Sequence, residues 1–161
     1  MMRELQAFRV IEKDDTDLYR DGFVDRKKIV EACESLVVHD ESSGIVKITH
    51  YSAQQVLLED NLLPPDSALA ETRLTYLSFK VFDQGPCQDS AVFDRVAEYP
   101  GNIYPSRYWY FHVKKGENNP DIYKAVLQAF TPDTRRHSMW QISQVSRTWM
   151  VRRTNNVTRG M

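Results

Sequence analysis

The spacing of apolar residues changes period twice between Ile29 and Leu63. Ile29, Val30, Cys33, Leu36 and Val37 recur at helical intervals and predict one buried stripe. Asp25 stands before them as an N-cap, with Val24 as the apolar residue of a staple. Val37-Val38-His39-Asp40 then reads as a strand, and Glu41-Ser42-Ser43-Gly44 carries turn chemistry. In the return strand Val46, Ile48 and His50 share one face, while Lys47, Thr49 and Tyr51 share the other with Ile45. The period returns to helical at Ser52, where Gln55 three residues on completes a capping-box pattern. Leu57, Leu58, Leu62 and Leu63 are the anchors of that helix, and Pro64-Pro65 ends it. The order is helix, hairpin, helix, which suits the core and wing of a winged-helix module, with the wing over about residues 37–51.

Upstream, residues 2–10 predict a short helix with Leu5 and Phe8 on one side, followed by an acidic loop through Gly22. Downstream the grammar is helical. Residues 66–82 predict one long helix, and its part LTYLSFKVF is apolar almost all round, which calls for burial on several sides. Gly85-Pro86 breaks it, and Ala91, Val92, Phe93 and Val96 form a short helix. Pro105, Pro120 and Pro132 read as first-turn prolines, with Asn119 and Thr131 as caps before the latter two. No repeat of fixed period occurs, although stacked helical pairs would suit the entrance of a solenoid. The expected fold is mostly α with a small β-hairpin: a winged-helix domain over residues 1–64 and an all-helical extension over residues 65–161.

Composition alters this picture little. A chain of 161 residues, 42% apolar and 27% charged, can bury a core, and its net charge of −1 gives no global pull toward nucleic acid or membrane. The distribution is uneven. Acids crowd the start (Glu12, Asp14, Asp15, Asp17, Asp21), whereas the end carries Arg135, Arg136, Arg147, Arg152, Arg153 and Arg159 against Asp133 alone. Cys33 and Cys87 form no disulfide framework, which fits a reducing compartment. With neither a membrane-spanning run nor an apolar signal core at the start, the expected location is the cytoplasm, and the sequon at Asn156 is read as chance.

Chemistry-bearing patterns are sparse. The six glycines are scattered and no G-x-x-x-x-G-K-[ST] occurs, so no phosphate cradle is expected from this chain alone. His39, His50, His112, His137 and the two cysteines lack metal-ligand spacing. Cys87 with His112 is the one nucleophile–base pair worth naming, and structural roles fit both better. The expectation is a protein that is not an enzyme and holds no metal or resident cofactor. Tyr104, Tyr108, Trp109, Tyr110, Phe111, Trp140 and Trp149 raise base stacking, but helical spacing favours packing for most, and Trp140 with Trp149 would form a sticky patch where further repeats are lacking.

The segment IVEACESLVVHDESSGIVKITHYSAQQVLLEDNLL also resembles, in wording as well as pattern, a winged-helix segment of fungal NACHT-type signalling proteins with ankyrin repeats, the type labelled after the GPI inositol-deacylase winged helix. Its likeness lies in a helix ending C-x-x-L-V, an acidic turn, and a strand closing on His-Tyr-Ser. LTYLSFKVFDQGPCQD and PSRYWYFHVKKG resemble the family's next segments, so the likeness covers roughly residues 5–130. It implies a non-catalytic regulatory and coupling module, packed between an NTPase domain and ankyrin-type repeats, with oligomerisation in its repertoire. Neither the P-loop domain nor a TPLHxA motif is in the chain, which therefore reads as a fragment or a reduced gene.

Within that resemblance Thr49-His50-Tyr51 is similar to the Met-His-Asp motif of signal-transduction NTPases, whose histidine touches the terminal phosphate of ADP. His50 is thus the candidate cofactor-binding residue, in company with an NTPase domain. Tyr51 stands where the motif is acidic and Thr49 where it is apolar. The other reading of His50 is a core histidine on the Val46 and Ile48 face. A stand-alone winged-helix nucleic-acid binder is the competing function: Arg26, Lys27 and Lys28 favour it, and the acidic Asp40-Glu41 wing tip opposes it. A degenerate fragment with no function of its own is the third reading.

Overall fold

The computed structural model describes residues 2–42, 45–116 and 118–157, and only the backbone of residue 89 and of residues 146–157. Among them lie eight α-helices and one two-stranded antiparallel sheet, as the apolar pattern predicts. Ser43, Gly44, the region around Trp149 as a side chain, and the sequon's Thr158 lie outside what is described.

The helix–hairpin–helix unit forms with the predicted order. Helix α1 (Met2–Arg9) precedes it, and α2 (Arg26–Ala32) opens on Asp25, whose carboxylate accepts from the Lys27 amide at 2.8 Å. Strand β1 (Val37–Asp40) pairs with β2 (Ile45–Ile48) in the register Val37 to Ile48 and His39 to Val46, so these four share one face. Thr49 ties the base of the hairpin, its amide donating to the Leu36 carbonyl at 2.9 Å and its hydroxyl to Ser35 at 2.8 Å. Helix α3 (Tyr51–Glu59) begins one residue before the capping-box reading puts it. Its N-cap is His50, with no side-chain cap bond, so Ser52 and Gln55 sit inside the helix rather than at its mouth.

The remaining helices are α4 (Asp66–Leu77), α5 (Asp89–Glu98), α6 (Ile103–Lys115), α7 (Pro120–Phe130) and α8 (Asp133–Val157). The single long helix expected over residues 66–82 is two pieces. The α-helix stops at Ser78, Phe79 is extended, and a 3₁₀ turn covers Lys80–Gln84. The Ser78 hydroxyl donates to the Leu74 carbonyl at 2.8 Å, competing with the helix's own ladder, and the Lys80 amide leaves to reach Thr16 O at 2.9 Å. Past the break, Phe79 and Phe82 join Tyr76 in one core, while Leu74 and Leu77 of the helix serve the other.

There are two cores. Ala70, Leu74 and Leu77 of α4 pack with Ile122 and Ala129 of α7 and Met139 of α8, flanked by the Trp109–Phe130 ring pair at 4.4 Å. Tyr76, Phe79 and Phe82 turn the other way, against Ala7, Leu18, Tyr99 and Ile142. Their rings are close: Tyr76–Phe79 centroids lie 4.8 Å apart and Phe82–Tyr99 5.8 Å, an aromatic cluster that contributes beyond its buried area. Helix α1 therefore shares its core with the helices beyond residue 65, and Tyr99 fastens the acidic loop by donating to Asp17 at 2.9 Å. Burial, more than that bond, pushes the Tyr99 phenol up to about 12.

Two glycines are structural. The Gly101 amide donates to the Tyr76 hydroxyl at 3.1 Å, and a Cβ at Gly101 would stand 2.8 Å from the Tyr76 ring. Gly85 ends the 3₁₀ turn at φ +80°, a conformation that favours glycine. Asn119 caps α7 as expected, accepting from the Asp121 amide at 2.9 Å. Thr131 instead closes α7 as its C-cap, its hydroxyl turned back to the Leu127 carbonyl, so Pro132 leads into α8 without it.

Candidate interaction surface

The hairpin unit has no core of its own size. Among the described residues of 24–63 Ile29 alone is buried, and the stripe predicted for α2 fades: Leu36 is exposed and Val30, Cys33 and Val37 are half-buried. On β1, β2 and α3 the apolar residues face outward as well. Val38, Ile45, Ile48, Val56 and Leu63 are exposed, as are Leu58 at 57%, Leu62 at 61% and Tyr51 at 75%. Scattered apolar residues on a surface need no explanation; nine large ones between Leu36 and Leu63 are an unusual concentration, spread over both faces of the hairpin (Ile48 on one, Val38 and Ile45 on the other) and over the stretch from Tyr51 to Leu63. The unit meets the helices mainly at its two ends. At the first, Gln6 Nε2 donates to the Val24 carbonyl at 2.7 Å.

At the second end the chain passes through Pro64-Pro65 into α4, whose first turn is held to α6. Asp66, the first residue of α4, has Oδ1 3.1 Å from His112 Nδ1 and Oδ2 3.3 Å from Lys115 Nζ. His112 Nε2 lies 3.2 Å from the Tyr104 hydroxyl, so the ring bridges a carboxylate and a phenol along the α4–α6 seam. Because the carboxylate only accepts, Nδ1 is the donor to Asp66. The His112 bond first, then Lys115, holds the Asp66 carboxyl below the usual carboxylate range. Arg73 lies over the Tyr104 ring at 5.0 Å, and burial lowers its guanidinium from the ordinary value.

His50 lies at the mouth of α3 and is exposed, which removes the core-histidine reading. Its carbonyl accepts from the Gln54 amide at 3.3 Å, whereas its imidazole makes no hydrogen bond or ion pair among the described residues. The fold uses the backbone of His50 and leaves the ring to solvent. Cys87 and His112 are not a pair. The Cys87 amide donates to Gln141 Oε1 at 3.0 Å and its carbonyl accepts from Gln141 Nε2 at 2.6 Å, while His112 is engaged by Asp66 and Tyr104. Three-residue clusters able to hold a metal ion are absent among the described residues. None of the described helices is long and apolar enough to cross a membrane.

Sequence spacing missed two features of this surface. Alternation and helical period announce which residues are apolar, and give no sign of whether the chain itself supplies their cover. The Asp66–His112–Tyr104 bridge joins positions 46 residues apart, beyond any local signal. No family model, no curated protein and no solved structure matches this chain.

Proposed function

We propose that this chain is a non-catalytic regulatory and coupling module of a NACHT-type signal-transduction NTPase, and that residues 24–63 are its docking face. The observation that supports this reading most is the outward-facing apolar set of the hairpin and α3, which the helices leave uncovered. A face of this kind is what an intramolecular or subunit interface looks like with its partner removed. The helices behind it form the rigid support, and the Asp66 clamp fixes the point where the two meet.

His50 acts in this proposal as the nucleotide-state contact. An imidazole that the fold does not use, at a helix mouth beside an apolar docking face, can donate to a phosphate oxygen held by the docked domain. Loss of that contact shifts the balance between resting and active states. The test is binding of the purified chain to ADP-loaded NACHT-type NTPase domains. Saturable binding that Leu58→Asp abolishes, and faster ADP release with His50→Ala, support the reading; unchanged ADP release refutes the sensor role.

The exposed Arg26, Lys27 and Lys28 at the start of α2 favour duplex DNA as the alternative ligand. Asp40 and Glu41 at the wing tip repel it. Affinity for duplex DNA that falls steeply with salt, in a chain that ignores every NTPase domain, would replace the first reading with the second.

A further inference from the structure

Five aromatic residues crowd eight positions of α6, at Tyr104, Tyr108, Trp109, Tyr110 and Phe111, and the fold takes in only part of them. Trp109 rests on Phe130 with ring centroids 4.4 Å apart, and half-buried Tyr104 is engaged by His112 and Arg73. The other three are exposed, Tyr110 at 54% and Phe111 at 61%. They brace one another, with centroids 6.1 Å apart for Tyr108–Phe111 and 6.4 Å for Tyr110–Phe111. The exposed residues of α6 are these three aromatics together with Lys114 and Lys115. Helical spacing sets Lys114 beside Tyr110 and Phe111, and Lys115 beside Phe111. From Tyr99 to Gly116 the chain has no acidic residue, and the acid that reaches this helix from α4, Asp66, is already held by His112 and Lys115. The exposed face of α6 is therefore aromatic and positive, without an aliphatic side chain.

That combination selects among ligands by chemistry. A duplex turns the flat faces of its bases inward and offers phosphates and base edges. An acidic peptide supplies charge without a flat partner for each ring. A membrane surface calls for a broad apolar stripe sunk into the acyl boundary, whereas two of the three exposed rings here carry hydroxyls. An unpaired strand supplies what the face lacks in both respects: a π-face on every nucleotide and a phosphate between each pair.

We propose that the exposed face of α6 binds single-stranded nucleic acid, with bases stacked on Tyr110 and Phe111 and the flanking phosphates met by Lys114 and Lys115. Tyr108 extends the platform by one ring. Recognition of this kind tolerates any sequence, because every base can stack, and it weakens as salt rises. The site lies on a different element from residues 24–63 and does not depend on which partner they take. Its ligand also differs from the duplex that Arg26, Lys27 and Lys28 favour.

Fluorescence anisotropy of the full chain with a labelled oligothymidylate of about 20 nucleotides tests the proposal. Saturable binding is expected at about 50 mM NaCl, and about tenfold weaker binding at about 200 mM, as about two to three phosphate contacts dictate. A duplex of the same length should bind at least about tenfold more weakly than the single strand. Tyr110→Ala/Phe111→Ala should weaken binding at least about tenfold, and Lys114→Ala should flatten the salt dependence by about one phosphate contact. Tyr110→Trp should bind as well as wild type or better, while Tyr110→Leu, apolar but not flat, should bind like Tyr110→Ala. Tyr123→Ala, which removes an exposed ring of α7, should change nothing. Each variant should keep the wild-type circular dichroism spectrum, because the residues changed are exposed.

No binding at about 100 µM chain overturns the proposal, as does equal affinity for the duplex. So does a Tyr110→Leu variant that binds like wild type, or displacement of the strand by polyglutamate at equal charge, which would reduce the contact to charge alone. Binding to vesicles of anionic phospholipid that Tyr110→Ala/Phe111→Ala abolishes, in a chain that ignores the oligonucleotide, would assign the face to a membrane instead.

Discussion

The hairpin unit and the helices are equally rich in apolar pattern, and the chain treats them oppositely. Leu74, Leu77, Tyr76, Phe79 and Phe82 are fully buried, while Leu58, Leu62, Leu63 and Tyr51 stand in solvent. The difference comes from neighbours. Helix α4 is met on one side by α7 and α8 and on the other by α1, the acidic loop and Tyr99. Helix α3 packs chiefly on the hairpin, and two strands offer one small face. Burial stabilises the helices from within the chain, so their apolar residues report on folding. The same residue types in the hairpin unit are exposed, and in the proposed function they serve a partner.

The contrast can be broken most severely at Tyr76. Tyr76→Ala removes a fully buried ring that touches Phe8, Phe79 and Phe82 and orphans the Gly101 amide, and should cost about 3–5 kcal/mol in urea unfolding. By comparison Leu62→Ser on the exposed face should change stability by no more than about 0.5 kcal/mol while lowering affinity for any partner of that face. A large loss of stability there would show that residues 24–63 have cover of their own. Between these extremes, Gly101→Ala forces a Cβ into the Tyr76 ring and should cost about 1–3 kcal/mol, read as a drop in Tm. Gly85→Ala meets only ordinary contacts, so its cost is that of a left-handed backbone, about 1 kcal/mol.

The smallest effect concerns the α4–α6 seam, just past the hairpin unit. Asp66 sits below the usual carboxylate range because of His112 and Lys115. A depressed carboxylate contributes stability that is present above its unfolded value and lost as pH falls through the folded one. The wild type should therefore lose Tm below about pH 4 more steeply than Asp66→Asn, with the two curves parallel near neutrality. Parallel curves down to acid would mean that the clamp does not hold α4 in solution.

Much of the fold was legible along the chain, for local reasons. The β1 and β2 strands follow from alternation, Asp25 and Asn119 cap as their side chains dictate, and Pro64-Pro65 separates α3 from α4. What was not legible depends on tertiary context. An apolar run such as LTYLSFKVF looks like a continuous helix until two separate cores compete for it, and the break at Ser78 is the outcome. His50 sits on a strand face by alternation, yet β2 ends at Ile48 and His50 becomes the exposed N-cap of α3. Exposure of α3 has no local signature at all, because leucines spaced for burial look the same whether or not anything arrives to bury them.

The break at Ser78 has one more consequence, which concerns how the protein comes apart. Residues 74 and 77 belong to one core and residues 76, 79 and 82 to the other, so a few consecutive peptide units serve both. Neither core can open without moving the backbone that the other grips. The helices should consequently melt as a single cooperative unit, with calorimetric and van't Hoff enthalpies in agreement, although they contain two separate apolar clusters. Native-state hydrogen exchange would then find one shared opening free energy across α4, α7 and α8, and a lower one confined to the hairpin.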